Sequence, residues 1–342
     1  MGAQDGLINS GSIRNRGFEF VINTINIQKK NFTWKSDLNM SFNKSKVIRI
    51  GNGSDRLLFN YPDGSDTRIK FLALEGGALG DMYGYKYAGV YTTDDFQQNP
   101  DGTYSLRDGV PRLKGRKASD VKPGDVKYEC VRGERDADGN PVWSTDDMTT
   151  IGNGQPLFTG GFSNTFTFYG FDLTVFMNFS YGNDIFNMST QRFIGPYLPN
   201  QNSLSVMRDR FQLIDPNTGR ETTDLARLAQ LNPNQHSRNQ MWSLHSTNKI
   251  AISDYTDYYV EDGSFLRIGQ LTLGYTFPKK WMQKVRISNA RLYFTVNNLA
   301  TITGYSGYDP EVAGSSAITT PGVDDSSYPR AKSYVVGLNL TF

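Results

Sequence analysis

The segment Asn31–Ser45, NFTWKSDLNMSFNKS, alternates between apolar and polar side chains along nearly its whole length. Successive side chains of a β-strand point to opposite faces, so the pattern predicts a strand with one apolar and one polar face. The apolar face carries Phe32, Trp34, Leu38, Met40 and Phe42, together with Ser36. An ordinary globular strand has about 5–6 residues. This strand instead reaches the roughly 9–11 residues that a tilted strand needs to cross a membrane.

Six other segments follow the same alternation, some of them less cleanly. They are Arg16–Ile27, Leu157–Phe168, Tyr169–Gly182, Phe265–Phe277, Arg291–Leu299 and Lys332–Phe342. Phe176 alone stands on the otherwise polar side of its segment. The sequence therefore predicts an all-β chain with seven long strands, which resemble the strands of an outer-membrane barrel.

The last predicted strand, KSYVVGLNLTF, runs to the final residue of the sequence. Its apolar side consists of Tyr334, Val336, Leu338, Leu340 and Phe342. The ends of soluble domains usually fray. An alternating strand that stops on an aromatic residue therefore predicts a terminus that is paired in a sheet.

The composition excludes several classes of protein. Aromatic residues make up 13% of the chain, although the hydrophobic fraction is only 37% and the mean hydropathy is −0.50. The net charge is +2 and no run of Lys or Arg occurs, so nucleic-acid binding is not expected. The single cysteine, Cys130, excludes an internal disulfide framework. The first residues lack the pattern of a signal peptide, and no apolar run is long enough for a transmembrane helix.

Short and long connections alternate between the predicted strands. The short ones read QKKN, YG and PKKWMQKVRISN, and the long ones cover 44–156, 183–264 and 300–332. Transmembrane barrels combine short periplasmic turns with long extracellular loops, and single-chain bacterial barrels have an even number of strands. Seven strands are an odd number, so the chain is predicted to be part of a longer barrel. Within the first long loop, Asp81–Tyr91 (DMYGYKYAGVY) is a candidate for a further strand or an extracellular hairpin.

One acidic stretch has the spacing of a calcium-binding loop. Asp136, Asp138, Asn140 and Asp147 occupy its first, third, fifth and twelfth positions. The sixth position, where glycine is needed for the sharp turn, is Pro141, and the twelfth is Asp where a bidentate Glu is usual. A solvated Asp/Gly/Asn turn is the favoured interpretation, and these four residues are the only metal candidates.

The remaining candidates are aromatic residues of the loops. Tyr83, Tyr85, Tyr87, Tyr91 and Trp242 have the chemistry to stack on sugar rings or peptide side chains, or equally to pack inside folded loops. The glycine-rich stretch Ile151–Gly161 lacks the third glycine of a dinucleotide loop and precedes a strand, which argues against a cofactor. No pattern indicates a catalytic site, so an enzyme is not expected.

The chain resembles the C-terminal third of the SusC/RagA-type TonB-dependent outer-membrane transporters. The matching stretches, in order, are NRGFEFVIN, FTWKSDLNMSFNKSKV, MYGYKYAGVY, VKPGDVKY, IGNGQPLFTGGFSNTFTFYGFDLTVFMNFSYGNDIFN, YVEDGSFLRIGQLTLGYTFPKKW, ARLYFTVNNLATITGYSGYDPEV and the terminal strand. One departure is Glu129–Asn140, ECVRGERDADGN, where the family commonly has a stretch richer in Asp, Asn and Gly.

The resemblance implies a barrel of about 22 strands, located in the outer membrane of a Gram-negative bacterium and filled by an N-terminal plug. It implies import of oligosaccharides or oligopeptides with a SusD-like lipoprotein, energised by TonB, ExbB and ExbD. The plug, the TonB box and the signal peptide are not in this sequence, so residues 1–342 correspond to the C-terminal portion of the barrel. The strand that ends at Phe342 resembles the signal read by the barrel assembly machinery.

A second hypothesis is a soluble extracellular β-sandwich that binds carbohydrate through the same loop aromatics. The negative mean hydropathy and the long polar segments are compatible with it. The long one-sided strands and the alternation of short and long connections favour the barrel instead.

Overall fold

The computed structural model describes residues 11–51, 53–61, 69–194, 200, 202–244, 255–311 and 318–342. Its main feature is one antiparallel sheet whose seven strands are neighbours in chain order. These strands are β1 (Gly11–Lys29), β2 (Phe32–Ile50), β3 (Phe158–Phe168), β4 (Phe171–Tyr181), β5 (Phe265–Thr276), β6 (Asn289–Thr303) and β7 (Ser333–Thr341). The predicted all-β fold and its seven strands are confirmed.

The connections give the sheet two different ends. At one end β1 joins β2 through residues 30–31, β3 joins β4 through 169–170, and β5 joins β6 through 277–288. We call this the short-turn end and the opposite one the long-loop end. Tyr169 and Gly170 both have positive φ, 46° and 92°, which is the geometry of the tight turn that matches the twist of a two-residue hairpin.

The strand register keeps the apolar rows in phase across the sheet. Leu38 of β2 lies opposite Ile22 of β1 and Phe162 of β3, and Phe162 lies opposite Met177 of β4. Because a slip of one residue would move every side chain to the other face, this register produces one continuous apolar face and one polar face.

Aromatic side chains border the apolar face at both ends. Near the long-loop end, rings of Phe18, Phe20, Phe42, Phe158, Phe179 and Tyr181 contact one another. Near the short-turn end, the contacts involve Phe32, Trp34, Phe166, Phe168, Tyr169, Phe171, Tyr275 and Phe277. Two aromatic belts that flank an apolar band are typical of strands that cross a bilayer.

The apolar face contains one polar cluster, which includes the Ser36 exception of the sequence. Ser36 Oγ donates to Asn164 Oδ1 at 2.7 Å, and Trp34 Nε1 donates to the same oxygen at 2.9 Å. Asn26 Nδ2 donates to Ser36 Oγ at 2.6 Å. These polar groups satisfy one another, which lowers the cost of placing them on an apolar surface.

Phe176, the exception on the polar face, lies over two glycines of neighbouring strands. A Cβ atom at Gly161 or at Gly269 would approach the Phe176 ring to 3.3 Å. Tyr293 covers Gly337 in the same way, since a Cβ there would lie 2.1 Å from the Tyr293 ring. The glycines of the polar face therefore make room for the large rings that cross it.

β1 and β2 are longer than the sequence predicted. Each has 19 residues and extends beyond the predicted Arg16–Ile27 and Asn31–Ser45, mostly toward the long-loop end. The extensions mix polar and apolar residues on each face, so the alternation that marks a one-sided strand fades there although the hydrogen-bonded ladder continues to Gly11 and Ile50.

The long loops contain small sheets. Arg56–Tyr61, Ile69–Leu74, Asp81–Gly84 and Thr149–Asn153 form a four-stranded sheet. The other pairings are Tyr87–Val90 with Val126–Tyr128, Phe96–Gln98 with Tyr104–Leu106, Arg112–Leu113 with Val142–Trp143, Ile214–Asp215 with Arg220–Glu221, and Asp184–Asn187 with both Val260–Asp262 and Val323–Asp324. The further strand predicted within Asp81–Tyr91 is confirmed as two short strands. The alternative of a hairpin is wrong, because these two strands pair with different partners.

The helices of the described residues are few and short. They are α1 (Met188–Ile194), α2 (Leu225–Leu231) and α3 (Lys279–Gln283), besides five short 3₁₀ helices. α2 begins at Asp224, whose carboxylate accepts hydrogen bonds from the amides of Ala226 and Arg227 and so caps the helix. In the part of the chain that the structure describes, no helix is long and apolar enough to span a bilayer.

Candidate functional site

The three long loops fold together into a single body, which we call the loop cap (described residues of 51–157, 182–264 and 304–332). The second loop adds to the edge of the first, where the Tyr85 amide donates to the Tyr255 carbonyl at 2.8 Å. The Asp257 amide donates to the Tyr85 carbonyl at 3.1 Å, and Asp257 Oδ1 accepts from the Tyr87 amide at 2.7 Å. The first two loops therefore hold each other in place.

The third loop enters the same body. The Gly322 carbonyl accepts from the Phe186 amide at 2.8 Å, and Val323 pairs in parallel with Phe186. Gly154 packs so closely that a Cβ there would lie 2.3 Å from the Pro321 carbonyl oxygen. All three loops thus contribute to one cap at the long-loop end.

The aromatic residues singled out in the sequence form the core of this cap. Tyr85, Tyr87, Tyr91 and Trp242 are each 5% exposed or less. Tyr85 stacks on Tyr128 with ring centroids 4.8 Å apart, and Tyr91 Oη donates to the Pro111 carbonyl at 2.6 Å. The structure therefore corrects the ligand-stacking interpretation of these four, because buried rings have no free face. Tyr83 is half-buried and packs against the same core.

The acidic residues of the candidate calcium loop have other partners. Asp136 pairs with Arg112, and its Oδ1 accepts from the amides of Asp138 and Asn140 at 3.0 and 2.9 Å. Asp147 lies apart, where it accepts from the Arg132 and Ser144 amides at 2.8 Å each. This is the arrangement of a turn closed by Asp136. Among the described residues, no group of three or more potential metal ligands converges.

A polar cleft lies between the polar face of the sheet and the third loop. It has a volume of about 580 Å³ and opens between Asn39, Asn178, Ser180, Asn183, Gln155 and Glu311. A second polar cleft of about 430 Å³ lies on the cap and is lined by residues that include Arg208, Arg210, Asn234, Asn239 and Gln240. Apart from Glu311, the polar side chains of the first cleft are amides and hydroxyls, which donate and accept hydrogen bonds without a fixed charge, so this cleft suits polar ligands such as sugars or peptide backbones. The second cleft also carries the charges of Arg208, Asp209 and Arg210.

An ion cluster adjoins the first cleft at Glu311. Arg267 of β5 is only 2% exposed and forms ion pairs with Asp309 and, at 3.1 Å, with Glu311. Arg330 pairs with Glu311 at 2.7 Å from the other side. This cluster fastens the third loop onto the polar face of the sheet.

The electrostatics of the cluster centre on Asp309. Burial alone would raise the pKa of its carboxyl group, but the amides of Glu311 and Arg330 and the Arg267 guanidinium outweigh burial, and the pKa is lowered. Because the pKa of Asp309 is lower in the folded than in the unfolded chain, its ionised carboxylate stabilises the fold at pH values above the unfolded-state pKa. This stabilisation is lost as the pH falls through the folded-state pKa. The cluster is therefore intact at neutral pH.

Sequence reasoning missed the cleft and the cluster. The signal for the cluster was an arginine inside an otherwise uncharged alternating strand, FLRIGQLTLGYTF, at a position on its polar side. Its partners come from a segment about forty residues downstream, since Arg267 and Asp309 are 42 positions apart. No local pattern connects residues at that distance.

The junction between the first two loops gives a direct test of the cap. A Cβ at Gly84 would lie 2.1 Å from the Tyr255 carbonyl oxygen. Gly84→Ala is therefore expected to separate the loops and to destabilise the cap by about 1–3 kcal/mol through overpacking. The measurement is hydrogen exchange at residues 255–259, which should quicken. Gly304→Ala is the matched control, because no atom lies within 4 Å of its Cβ position. Equal exchange in both variants would contradict the described junction.

The geometry defines a class of protein. The long strands form a meander with one polar face and one apolar face, and the apolar face lies between two aromatic belts. All the long loops lie at one end. This is the arrangement of the wall of a transmembrane β-barrel. Each strand is buried by lipid on one side and meets a polar interior on the other.

Comparison with known proteins agrees with this class. The chain is 30% identical over its whole length to TonB-dependent receptor P3 of Formosa agariphila, and 25% identical over 98% of its length to TonB-dependent receptor SusC of Bacteroides thetaiotaomicron. The predicted resemblance to SusC/RagA-type TonB-dependent receptors is confirmed. No family model matches the sequence. The names of these relatives are those of receptors, in line with the expectation of a non-enzymatic protein.

Solved structures give the same fold. The chain superposes with a TM-score of 0.66 on a structure described as the RagAB peptide transporter, at 22% identity and over 98% of the chain. It covers 30% of that transporter chain, and 30% and 27% of the two receptors. The chain therefore spans about a third or less of the proteins that it matches.

Proposed function

We propose that this chain forms the C-terminal wall of a TonB-linked outer-membrane importer of oligosaccharides or oligopeptides. The observation that carries the proposal is the two-faced sheet, because an apolar face bordered by two aromatic belts fits a bilayer and a polar face fits a hydrated interior. Similarity to TonB-dependent receptors over the whole chain supports it. The short-turn end then faces the periplasm and the loop cap faces the outside of the cell.

The edges of the sheet indicate that further strands complete the barrel. β1 and β7 are the two outer strands, and neither pairs with another described strand on its outer side. Unpaired backbone groups are costly in lipid. We therefore infer that both edges pair with strands outside this set of seven, and that the plug and the TonB box belong to the remainder of the same barrel protein.

β7 also has the features of an assembly signal. Its outward side chains Tyr334, Val336, Leu338, Leu340 and Phe342 are all exposed, from 42% for Leu340 to 84% for Phe342. An apolar edge strand with a free ladder is a template for pairing with another strand. We infer that the barrel assembly machinery recognises this strand before the barrel closes.

The polar clefts and the cap are the proposed ligand surface. Uncharged amide and hydroxyl groups line the cleft beside Asn39 and Asn178, which suits oligosaccharides and oligopeptides alike. The cap, held by contacts among three loops, provides a docking surface for a SusD-like lipoprotein that would close over the ligand. TonB, ExbB and ExbD would act through the part of the barrel protein outside this chain. No observation favours the soluble sandwich.

The test is uptake by cells that make the complete protein. Fluorescent oligosaccharides and oligopeptides are offered to the native host, to a strain with the gene deleted in frame, and to a strain without TonB. We expect one of the two ligand classes to enter only when both the gene and TonB are present. Uptake that persists without TonB, or recovery of the protein in the soluble fraction after alkaline extraction, would contradict the proposal.

A further inference from the structure

The short-turn end of the sheet carries six cationic side chains, which we call the basic rim. They are Lys29, Lys30, Lys279, Lys280, Lys284 and Arg286. All six are exposed, and no ion pair joins any of them to another described residue. The connections 30–31, 169–170 and 277–288 contain no Asp or Glu. The positive charge of the rim is therefore not compensated within this part of the chain.

Apolar side chains are exposed among these cations. Trp281 of α3 is 57% exposed and Val285 is 59% exposed. They are four residues apart in a turn that continues α3, so they lie on the same side of it. The helix follows directly after Phe277, whose ring lies 5.2 Å from that of Tyr275 in the aromatic belt. Tryptophan beside lysine at the border of an apolar belt is typical of a membrane–water interface.

The backbone of this turn places Arg286 in an unusual conformation. The amide of Ile287 donates to the Met282 carbonyl at 3.0 Å, and that of Arg286 donates to the Gln283 carbonyl at 3.2 Å. These bonds form the usual closing motif of a helix, whose left-handed position is normally glycine. Here it is Arg286, with φ of 59°. A bulky residue in that conformation is unfavourable, and such strain is typical of positions where the side chain has a function.

We propose that the basic rim binds the phosphate groups of anionic phospholipids in the leaflet that borders the short-turn end, with Trp281 and Val285 inserted at the surface of that leaflet. The inference rests on the proposed membrane insertion of the sheet. Lysine and arginine beside a bilayer are attracted to anionic headgroups, and their aliphatic stems lie along the apolar boundary. A soluble acidic partner would match the charges, but would leave unexplained why the exposed tryptophan continues the aromatic belt.

The test is tryptophan quenching in the complete protein, reconstituted in nanodiscs of equal parts phosphatidylglycerol and phosphatidylcholine. Two samples are compared, one with brominated phosphatidylglycerol and one with brominated phosphatidylcholine. The fluorescence of Trp281 is obtained by subtracting the fluorescence of Trp281→Phe from that of the wild type. We expect stronger quenching when the phosphatidylglycerol is brominated. Each cation near an anionic surface contributes about 1 kcal/mol, or roughly fivefold in affinity. The triple variant Lys279→Gln, Lys280→Gln, Lys284→Gln should therefore lose the preference.

Arg286→Gly separates function from folding. Glycine relieves the left-handed strain, so the melting temperature should be unchanged or higher, while the preference for phosphatidylglycerol falls two- to fivefold. Lys117→Gln, at an exposed lysine of the loop cap, is the control for charge removal and should leave the preference unchanged.

Three results would overturn the proposal. They are equal quenching by both brominated lipids in the wild type, a preference that survives the triple variant, and a Trp281 signal that responds to added polyglutamate but to neither lipid. Quenching of Trp34, measured with Trp34→Phe, reports separately whether the sheet is in the bilayer. Quenched Trp34 with no preference at Trp281 would refute the rim site alone and leave the membrane-wall proposal standing.

Discussion

Replacing Leu338 with arginine is expected to destabilise the assembled barrel by about 2–4 kcal/mol, the cost of a cation that faces lipid near the middle of a bilayer. Leu338 is 57% exposed on the apolar face near the middle of β7, between Tyr334 and Phe342 along the chain, and lies opposite Leu292 of β6. The measurement is the urea midpoint of the complete protein in lipid vesicles, together with its yield in the outer-membrane fraction. Both should fall.

A residue on the other face of the same strand provides the control. Val335 of β7 points to the polar face, opposite the uncharged Thr295. Val335→Arg places the same charge in the same strand, but in the hydrated interior, and should cost much less. If the two variants behaved alike, or if Leu338→Arg assembled normally, the assignment of the apolar face to lipid would be wrong.

Replacing Arg267 with methionine is expected to release the third loop. Removal of one partner of a buried ion pair commonly costs about 3–5 kcal/mol, because the remaining charges are left without compensation. Here the carboxylates of Asp309 and Glu311 would remain beside a thioether. Hydrogen exchange at residues 307–311 should accelerate, and the unfolding midpoint of the complete protein should fall.

Two further variants make this test specific. Arg291→Met removes an arginine from a half-exposed pair with Asp172 on the same polar face, and should cost about 1 kcal/mol or less. The triple variant Arg267→Met, Asp309→Asn, Glu311→Gln removes all three charges and should recover part of the loss. Unchanged exchange at 307–311 in Arg267→Met would show that the ion cluster does not hold the loop.

The strands of the wall were predictable because the face toward lipid requires apolar side chains and the face toward water requires polar ones. Where a strand has an apolar and a polar side, the alternation of residue types predicts both the strand and the direction of its side chains, as in Asn31–Ser45. The same reasoning failed at the ends of β1 and β2, where apolar residues no longer alternate regularly and Val47 and Ile50 pack against residues of the first long loop instead of lipid. The polar residue Ser36 on the apolar face was not predictable either, because its hydrogen-bond partner Asn164 lies in another strand.

The candidate site was less predictable, because it depends on long-range packing. Tyr85 and Trp242 carry the chemistry of a ligand platform, but the cap buries them against residues of other loops. Whether an aromatic ring in a loop faces solvent or a core is decided by partners that no local pattern contains. The cleft beside Asn39 arises in the same way, from β2, β4 and the third loop together.

The difference between local hairpins and distant contacts sets an order of folding. Two hairpins of the wall, β1–β2 and β3–β4, close through two-residue turns, as between Phe168 and Phe171. The cap depends on contacts such as Tyr87 with Gln240 and Thr93 with Gln235, which are 153 and 142 positions apart. Contacts between distant residues form slowly, because the entropy lost in closing a long loop must be offset first. We therefore expect the hairpins β1–β2 and β3–β4 to form first, and both the cap and the joining of β2 to β3, where Trp34 meets Asn164, 130 positions away, to follow later.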